Sequence, residues 1–574
     1  MLFTFSVLII FLTTSKLTNE DDYFWHLATG RYIVQNGSIP SQDVFSYPTL
    51  GQPWLVTEWG WDVLTYEIFN VFGYTGLSIL NTLVFLVIFL IFFLTARKFK
   101  VSYPVIVLFS ILLVFGIFER LTPRPHIITY LFFALLPGIL INYRYFDRNS
   151  YKRLYFIPVI FLLWANLHMG CVIGIGIFGI FLISEFIECI KPGKFTSKNY
   201  IPLTKKELIR VLVVFVISVL SMMANPHGAM TYFYSLTSQA NTKMLYEAVM
   251  EWISPFNSRF LGMFHSDIYI MFLAGIIPVM IYAFKKKDIF AGLICLLFAI
   301  NSVRALRFTI DYELIVFPFL LASIGYFIDK IKSINVRDFI TQKPALKIIL
   351  TIFMAFLIYN IPGNVLYHKY LTYARWAGTG IDENYYPVKM FDFIKENKIN
   401  ELGMKPFNTF ECGGFFLWNF PDQKDFFDSR DLNDFIMNEY QVLISKLPGY
   451  ENKVNEYGFD YAICVIPDIA SEPSIMKQSI IAYFSTNNTE WKLVYWNDHS
   501  LLFLKNLPQF SKIIEDNEYK YFTPYNLYYQ KNLIEKGISE DKAEVLDEVN
   551  RKNKEDRFSI FLNNFLVLFR KKLL

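Results

Sequence analysis

The sequence predicts a polytopic α-helical membrane protein with a soluble α/β region after its last span. Apolar runs of about 20 residues recur through the first two thirds of the 574-residue chain, and each is long enough to cross a hydrocarbon core of about 30 Å. Only 18% of the residues are charged, whereas soluble domains carry roughly 25%. In addition, every second loop between the apolar runs is rich in lysine and arginine.

The apolar runs predict about eleven transmembrane helices, with an error of one or two. The first run has no small-residue cleavage site at its end, which favours an uncleaved span over a signal peptide. The candidate spans are 1–15, 75–96, 101–118, 126–146, 154–168, 171–190, 208–224, 266–284, 288–303, 309–329 and 346–362.

The basic loops predict the orientation of these spans. By the positive-inside rule the basic loops are cytoplasmic, so the alternate loops and everything after the last span face outward. The centres of the spans contain almost no charged residues. The basic loops are 97–100, 144–153, 191–206, 285–287 and 330–337.

Three regions follow from this pattern. Residues 1–362 form the membrane domain, with a long first outer loop at 16–74. Residues 363–510 form a small extracytoplasmic α/β domain, with strand-like runs at 460–466, 491–496 and 500–504 and a helical stretch at 387–397. Residues 511–574 form a helical tail whose apolar 558–569 segment, followed by basic residues, is typical of an amphipathic helix on a membrane surface.

The five cysteines and the net charge point to no special class. No CxxC pair or metal spacing occurs among the cysteines, so they are interpreted as small buried apolar residues. The formal net charge of +4 gives no indication of nucleic-acid binding, and no nucleic-acid partner is expected.

Polar side chains gather at the outer ends of the spans, where five of the seven histidines lie. Ionisable groups near a bilayer are costly unless they are paired or face water, so this collection predicts a functional site. Carboxylates and imidazoles can bind a divalent metal or move protons, and arginines can grip phosphate oxygens. The alternative is that these groups anchor or cap helices. The candidates are Asp21, Asp22, Trp25, His26, Glu58, Arg120, Arg124, His168, Arg304 and Arg307, with Glu251 and Trp252 in the same outer region.

Several motifs resemble one family. They are Asp21-Asp22-Tyr23-Phe24-Trp25-His26, Glu58-Trp59, Arg124-Pro125-His126, Trp164-Ala165-Asn166-Leu167-His168-Met169-Gly170, Asn225-Pro226-His227-Gly228, Glu251-Trp252, Gly413-Gly414-Phe415-Phe416 and Phe427-Asp428-Ser429-Arg430. Together they resemble a large group of bacterial membrane proteins related to the GT-C glycosyltransferase superfamily. The resemblance covers the chain to about residue 506.

The resemblance implies a membrane glycosyltransferase of GT-C type in a bacterial inner (cytoplasmic) membrane. It would transfer a sugar from a polyprenyl-phosphate donor to a glycan, lipid or protein acceptor outside the cytoplasm. Asp21 and Asp22 would take the role of the acidic motif, either binding Mg²⁺ or Mn²⁺ or, for Asp22, acting as the base. Because Glu20 precedes them, the pair that corresponds to the motif stays open.

The remaining assignments rest on chemistry alone. Arg120, Arg124 and Arg304 would hold the donor phosphate, and Trp25 could stack on a sugar ring or anchor the chain at the membrane surface. His26, Glu58, His168 and Arg307 complete the predicted substrate contacts. The competing interpretations are a lipid-linked glycan transporter or flippase, a non-catalytic envelope assembly protein, and glycosyl transfer without a metal.

Overall fold

The described part of the chain divides into two compact units. The computed structural model describes residues 1–190, 202–233, 250–331, 334–341, 344–430 and 434–573, so part of the predicted basic loop at 191–206 lies outside it. Unit 1 comprises Met1–Leu17 and Val56–Gly380, and unit 2 comprises Thr18–Leu55 and Ile381–Leu574.

Fourteen α-helices lie in the described residues of the N-terminal two thirds, and all except α2, which belongs to unit 2, lie in unit 1. Each predicted span coincides with helix in the described residues. In chain order the helices are α1 Leu2–Thr13, α2 Asp22–Asn36, α3 Trp59–Lys98, α4 Tyr103–Gly116, α5 His126–Ile141, α6 Ile157–Leu167, α7 Cys171–Ile190, α8 Lys205–Met222, α9 Phe264–Ala274, α10 Ile276–Lys286, α11 Ile289–Ser302, α12 Arg307–Ile328, α13 Ile334–Thr341 and α14 Pro344–Asn360.

Six helical stretches in the described residues are long and apolar enough to cross a membrane. The longest is α3, which begins 16 residues before the span predicted at 75–96. Gly73 interrupts it with a φ of 59°, a left-handed conformation that glycine adopts without steric cost. The predicted outer loop at 16–74 therefore contains helix α2 and the first turns of α3.

Helix α12 runs through the interior of unit 1. Every residue from Thr309 to Ser323 is buried, and the helix packs against α3, α4, α5 and α11. This stretch includes Asp311 and Glu313, which lie in the first two turns of the helix and are buried. Gly116 makes room for the Glu313 carboxyl, because a Cβ at Gly116 would lie 2.4 Å from Glu313 Oε2.

Arg144, which belongs to the predicted basic loop at 144–153, is buried in unit 1. Its guanidinium forms ion pairs with Glu185, with Glu188 at 2.7 Å and with Asp288 at 3.4 Å. Three carboxylates from α7 and the start of α11 thus meet one guanidinium that follows α5. The charge pattern of the sequence did not distinguish this buried cation from the exposed ones around it.

Unit 2 is an α/β domain with a four-stranded sheet. The strands are β1 Pro406–Asn408, β2 Tyr461–Val465, β3 Trp491–Trp496 and β4 Ser500–Lys505, in the order β1-β2-β4-β3. β1 pairs parallel to β2, and the other pairs are antiparallel. The three predicted strands are confirmed as β2, β3 and β4.

Twelve further helices lie in the described part of unit 2 from residue 388 onward. The predicted helix at 387–397 is confirmed as the first of them. They are α15 Val388–Glu396, α16 Ile399–Leu402, α17 Gly413–Asn419, α18 Asp434–Ile444, α19 Tyr450–Tyr457, α20 Ser474–Gln478, α21 Ile481–Thr486, α22 Ser511–Asn517, α23 Pro524–Tyr529, α24 Lys531–Glu540, α25 Lys542–Glu555 and, as the last helix of the chain, α26 Ile560–Leu573.

The apolar face of α26 packs inside unit 2. Phe561 and Phe565 are fully buried, and the Phe565 ring lies 4.2 Å from that of Phe522. Phe561 also contacts Trp496 at the end of β3, with ring centroids 5.9 Å apart. These side chains are therefore buried by the domain itself rather than available to a membrane surface.

Residues 18–55 belong to unit 2 because buried polar contacts fix them there. Arg430 Nη1 pairs with Asp43 at 2.8 Å, and Arg430 Nη2 pairs with Asp428 at 2.6 Å. Ser46 donates a hydrogen bond to Asp425 Oδ1 at 2.6 Å. Arg430 and its two partners are almost completely buried, so this segment is an integral part of the domain.

Candidate functional site

Asp21, the first residue of the predicted acidic pair, holds helix α17 in unit 2. Its carboxyl oxygens accept hydrogen bonds from the backbone amides of Gly414 at 2.5 Å and Phe415 at 2.9 Å. These amides belong to the first turn of α17, where they have no partner within the helix. Burial raises the pKa of the Asp21 carboxyl well above its ordinary value of 3.8, although the two amides act in the opposite direction.

The glycines of the Gly413-Gly414 motif permit this contact. A Cβ at Gly414 would lie 2.7 Å from the Asp21 carbonyl oxygen and 2.8 Å from Asp21 Oδ2. A Cβ at Gly413 would lie 2.2 Å from the carbonyl oxygen of Phe427. The motif is therefore explained by close packing between segments of unit 2.

Arg31 holds the other end of the same helix. Its guanidinium donates to the carbonyl oxygens of Leu417 at 2.8 Å and Trp418 at 3.0 Å, and it lies 4.5 Å from the Trp418 ring centre. An acid at the first turn and a base at the last turn both complement the helix dipole. Asp21 is the N-cap residue of α2 and Arg31 lies within it, so this one helix contacts both ends of α17.

Asp22 differs from its neighbour because it is only half-buried. Its Oδ1 accepts a hydrogen bond from Trp25 Nε1 at 3.2 Å. The Trp25 ring stacks at 3.6 Å on His26, which is buried. The structure thus brings Asp22, Trp25 and His26 together on α2 and leaves Asp22 as the more accessible acid.

In unit 1, His168 is held in one tautomer. Gly170 N donates to His168 Nδ1 at 3.2 Å, so this ring nitrogen is an acceptor. The Thr129 hydroxyl accepts from Trp164 Nε1 at 2.8 Å and donates to the same nitrogen at 2.6 Å. The neutral imidazole therefore carries its proton on Nε2.

The His168 Nε2 proton faces Glu58. The distance from Nε2 to Glu58 Oε1 is 3.4 Å. Next to Glu58, Trp59 Nε1 donates to Asn166 Oδ1 at 2.9 Å, and Asn166 Nδ2 donates to the Ala224 carbonyl at 3.0 Å. Hydrogen bonds thus connect the Glu58-Trp59 motif with the motif at 164–170 and with Ala224, the residue before a third motif, and His168 faces the Glu58 carboxylate.

Glu251 joins two of the predicted arginines. Arg120 forms an ion pair with one Glu251 oxygen, and Arg307 lies 3.7 Å from the other. The Arg307 guanidinium also lies 4.2 Å from the ring centre of Trp252. The side chains of Arg120, Glu251 and Arg307 are 16%, 26% and 36% exposed, so a ligand can reach them.

Arg124 also belongs to this arginine group, and His168 and Glu119 lie near it. Arg120, Arg124 and Arg307 all lie within electrostatic range of the His168 imidazole. Glu119, beside Arg120, is held by His265 Nδ1 at 3.0 Å. Arg304 is not brought into the group: its side chain is exposed and has no ion pair among the described residues.

The sequence interpretation assigned no role to Glu251, although it quoted Glu251-Trp252 as a motif. The signal that could have identified it is the position of an acid in the same outer region as several arginines. A buried or half-buried guanidinium requires a counter-charge, and acids are scarce in that stretch of the chain. Glu251 supplies the charge to two guanidinium groups at once.

Asp21, the first acid of the pair, is engaged by the backbone rather than open to a divalent metal. Both carboxyl oxygens of Asp21 are engaged by backbone amides. Among the parts of the chain that the structure describes, no three ligating side chains come together as metal ligands. The chemistry derived below therefore contains no step that depends on a metal.

No family model and no curated protein match this sequence. Solved structures do match. The archaeal oligosaccharyltransferase AglB from Archaeoglobus fulgidus, in complex with an inhibitory peptide and a dolichol-phosphate, aligns with a TM-score of 0.55 at 10% identity, over 88% of this chain and 74% of that one. The same enzyme in complex with Zn and sulfate aligns with a TM-score of 0.52 at 11% identity, over 88% and 73%.

These likenesses establish the fold. The chain shares the fold of these solved structures, so the predicted fold class is confirmed. Together with its apolar helices, the fold makes this a multi-pass membrane protein. The number of spans stays a prediction.

Proposed function

We propose that this protein is a membrane glycosyltransferase that transfers a sugar from a polyprenyl-phosphate donor to an acceptor outside the cytoplasm of a bacterium. The GT-C fold supports this class of reaction. The observation that carries the proposal is the arginine group of unit 1, in which Arg120 and Arg307 converge on one accessible carboxylate. Guanidinium groups that share an anion in this way can also bind the oxygens of a phosphate.

The arginine group would act on the leaving group. When the glycosidic bond breaks, the donor phosphate gains negative charge, and preorganised cations lower the energy of that state. Arg120, Arg124 and Arg307 would supply these cations. Glu251 then occupies the position of the phosphate until the donor arrives and displaces it.

A carboxylate would accept the proton of the incoming acceptor hydroxyl. We assign this role to Asp22, because it is more accessible than Asp21 and because the acidic motif of the resembling family corresponds to this pair. A general base of this kind contributes typically 10²–10⁴-fold to a rate. The fixed tautomer of His168 orients Glu58, which is suited to accept hydrogen bonds from sugar hydroxyls.

Binding of undecaprenyl phosphate to the purified full-length protein tests the donor site. Arg120→Ala and Arg307→Ala should each weaken binding about tenfold or more, because a hydrogen bond to a charged group is worth about 1.5–3 kcal/mol. Arg304→Ala is the matched control, since this neighbouring arginine lies outside the group. Equal weakening by Arg304→Ala and Arg307→Ala would contradict the proposal.

Glu251→Gln tests whether the carboxylate is displaced by the donor. Removal of the competing negative charge should tighten binding of undecaprenyl phosphate at low ionic strength. The control variant Arg304→Ala should bind it as the wild type does. If Glu251 instead served only to orient the arginines, Glu251→Gln would weaken binding.

A further inference from the structure

A cavity of about 270 Å³ lies at the face of unit 1 that carries the basic loops. It is lined by Lys100, Ser102, Asp329 and Arg337 and by the apolar Val101, Gly325 and Ile328. The positive-inside pattern predicts that this face is cytoplasmic. The cavity is separate in sequence and in orientation from the outer residues discussed above, and it does not depend on the proposed function.

Of the three cations in the basic loop 97–100, Lys100 is the one whose side chain makes no polar contact with another residue in the described part of the chain. Arg97 donates to the Val101 carbonyl at 2.6 Å and stacks on Tyr103, and Lys98 donates to Asn142. The Lys100 ammonium group has no hydrogen bond or ion pair within the described ranges, and the side chain is exposed. Its φ of 61° is a left-handed conformation that glycine or asparagine adopts more readily after a helix.

The start of α4 adds a second feature that suits an anion. Ser102 is the N-cap residue of this 14-residue helix but makes no capping hydrogen bond with its side chain. Its Oγ is buried and has no hydrogen-bond partner among the residues that the structure describes. The first amides of a helix lack partners within the helix and carry partial positive charge. Lys100, the Ser102 hydroxyl and this helix end therefore make one side of the cavity electropositive.

The opposite side of the cavity is electronegative. Gly325, Ile328 and Asp329 lie at the end of α12, which carries partial negative charge, although the Gly325 and Ile328 carbonyl oxygens accept hydrogen bonds from the amides of Asp329 and Ile331. The Asp329 carboxylate has no ion pair within the described part of the chain. A ligand that complements both sides carries an anion and a cation.

We propose that this cavity binds a phosphate ester that also carries an ammonium group, which is the headgroup chemistry of an aminophospholipid. The phosphate oxygens contact Lys100, Arg337 and the Ser102 hydroxyl. The ammonium group donates to the Asp329 carboxylate and lies in the negative field of the end of α12. Val101 and Ile328 provide apolar contact for the glycerol end of the headgroup, and the apolar helices place the cavity beside the bilayer.

Native mass spectrometry of the delipidated full-length protein tests the proposal by titration with phosphatidylethanolamine, phosphatidylcholine and phosphatidylglycerol. One phosphatidylethanolamine should bind in preference to the other two, because only its headgroup combines a phosphate with an ammonium N–H donor. Lys100→Ala and Ser102→Ala should weaken this binding at least tenfold and at least threefold. Lys287→Ala is the matched control, since Lys287 is also an exposed, left-handed lysine after a helix on the same face but does not line the cavity.

Two further measurements make the test decisive. Asp329→Asn should remove the preference for phosphatidylethanolamine over phosphatidylglycerol and leave the phosphate contacts intact. Soluble glycerophosphoethanolamine and inorganic phosphate distinguish the source: displacement of the lipid by millimolar inorganic phosphate would show that the site serves a free phosphate. Equal binding by Lys100→Ala and Lys287→Ala, in variants with wild-type thermal unfolding, would overturn the proposal.

Discussion

Substitution of Asp21 should destabilise unit 2 rather than act directly on chemistry. The Asp21 carboxyl accepts hydrogen bonds from two buried amides at the start of α17. Asp21→Ala removes both acceptors and leaves the two amides without partners. An orphaned buried donor costs about 1–3 kcal/mol, and loss of a helix cap typically costs about 1 kcal/mol. We therefore expect a loss of about 3 kcal/mol in the free energy of unfolding.

The expected shift in melting temperature follows from the size of the unit. For a domain of about 150–250 residues, 1 kcal/mol corresponds to about 2–4 °C. Asp21→Ala should therefore lower the melting temperature by about 6–12 °C, and Asp21→Asn by about half as much, because the asparagine keeps one acceptor oxygen. Tryptophan fluorescence of the full-length protein in detergent measures the unfolding.

Asp22→Asn is the matched comparison. The asparagine oxygen can still accept the hydrogen bond from Trp25 Nε1. The free energy of unfolding should therefore change by no more than about 0.5 kcal/mol, as for a surface substitution, and the melting temperature should stay close to that of the wild type. Glycan transfer in cells should be lost in Asp22→Asn while the protein level holds. A wild-type melting temperature for Asp21→Ala, together with loss of transfer, would refute this assignment of the two acids.

Three other substitutions test the remaining contacts. Gly170→Ala should break the hydrogen bond between Thr129 and His168, because a Cβ at Gly170 would lie 2.0 Å from Thr129 Oγ1. Binding of undecaprenyl phosphate and the melting temperature should both fall. Gly176→Ala should change neither, because there is open space around Gly176. Arg430→Ala should cost about 3–5 kcal/mol, because Asp43 and Asp428 lose their buried counter-charge; protease sensitivity of residues 18–55 measures the loss, and an unchanged digestion pattern would contradict it. Burial raises the pKa of Glu411 from 4.5 to about 7, so the folded state binds the proton more tightly than the unfolded state, and this stability is present below about pH 4.5 and lost as the pH rises to about 7. Glu411→Gln should therefore reduce the loss of stability over this pH range, by up to about 3 kcal/mol in the free energy of unfolding, and flatten the fall in melting temperature. An undiminished fall would exclude Glu411 as its source.

The helices of unit 1 could be predicted because each depends on a local property, the apolar run. The start of α3 could not, since residues 59–74 mix polar and apolar side chains and their helix depends on packing. Strand β1 was missed because only three residues form it. The place of residues 18–55 in unit 2 was also beyond local reasoning. It rests on contacts such as Arg430 with Asp43, which are 387 positions apart.

The candidate site shows the same division between local and distant information. Residue type and position on the outer loops predicted Arg120, Arg307 and His168, because ionisable groups are rare in such a chain. The partners were not predictable. Thr129 lies inside an apolar helix, and Glu251 is identified only by the two guanidinium groups that meet it. A sequence shows which side chains could perform chemistry, whereas their partners depend on the fold.

The adjacent acids Asp21 and Asp22 show why a motif cannot be transferred to a site as a block. Neighbouring residues on a helix point in directions about 100° apart, so two consecutive side chains do not face the same partner. Here the first carboxyl faces the start of α17 and the second remains half-exposed. The close approach of Gly414 to Asp21 fixes this division, because it leaves no space for a ligand between them. If α2 retains this packing during turnover, only Asp22 of this pair can exchange a proton with a substrate.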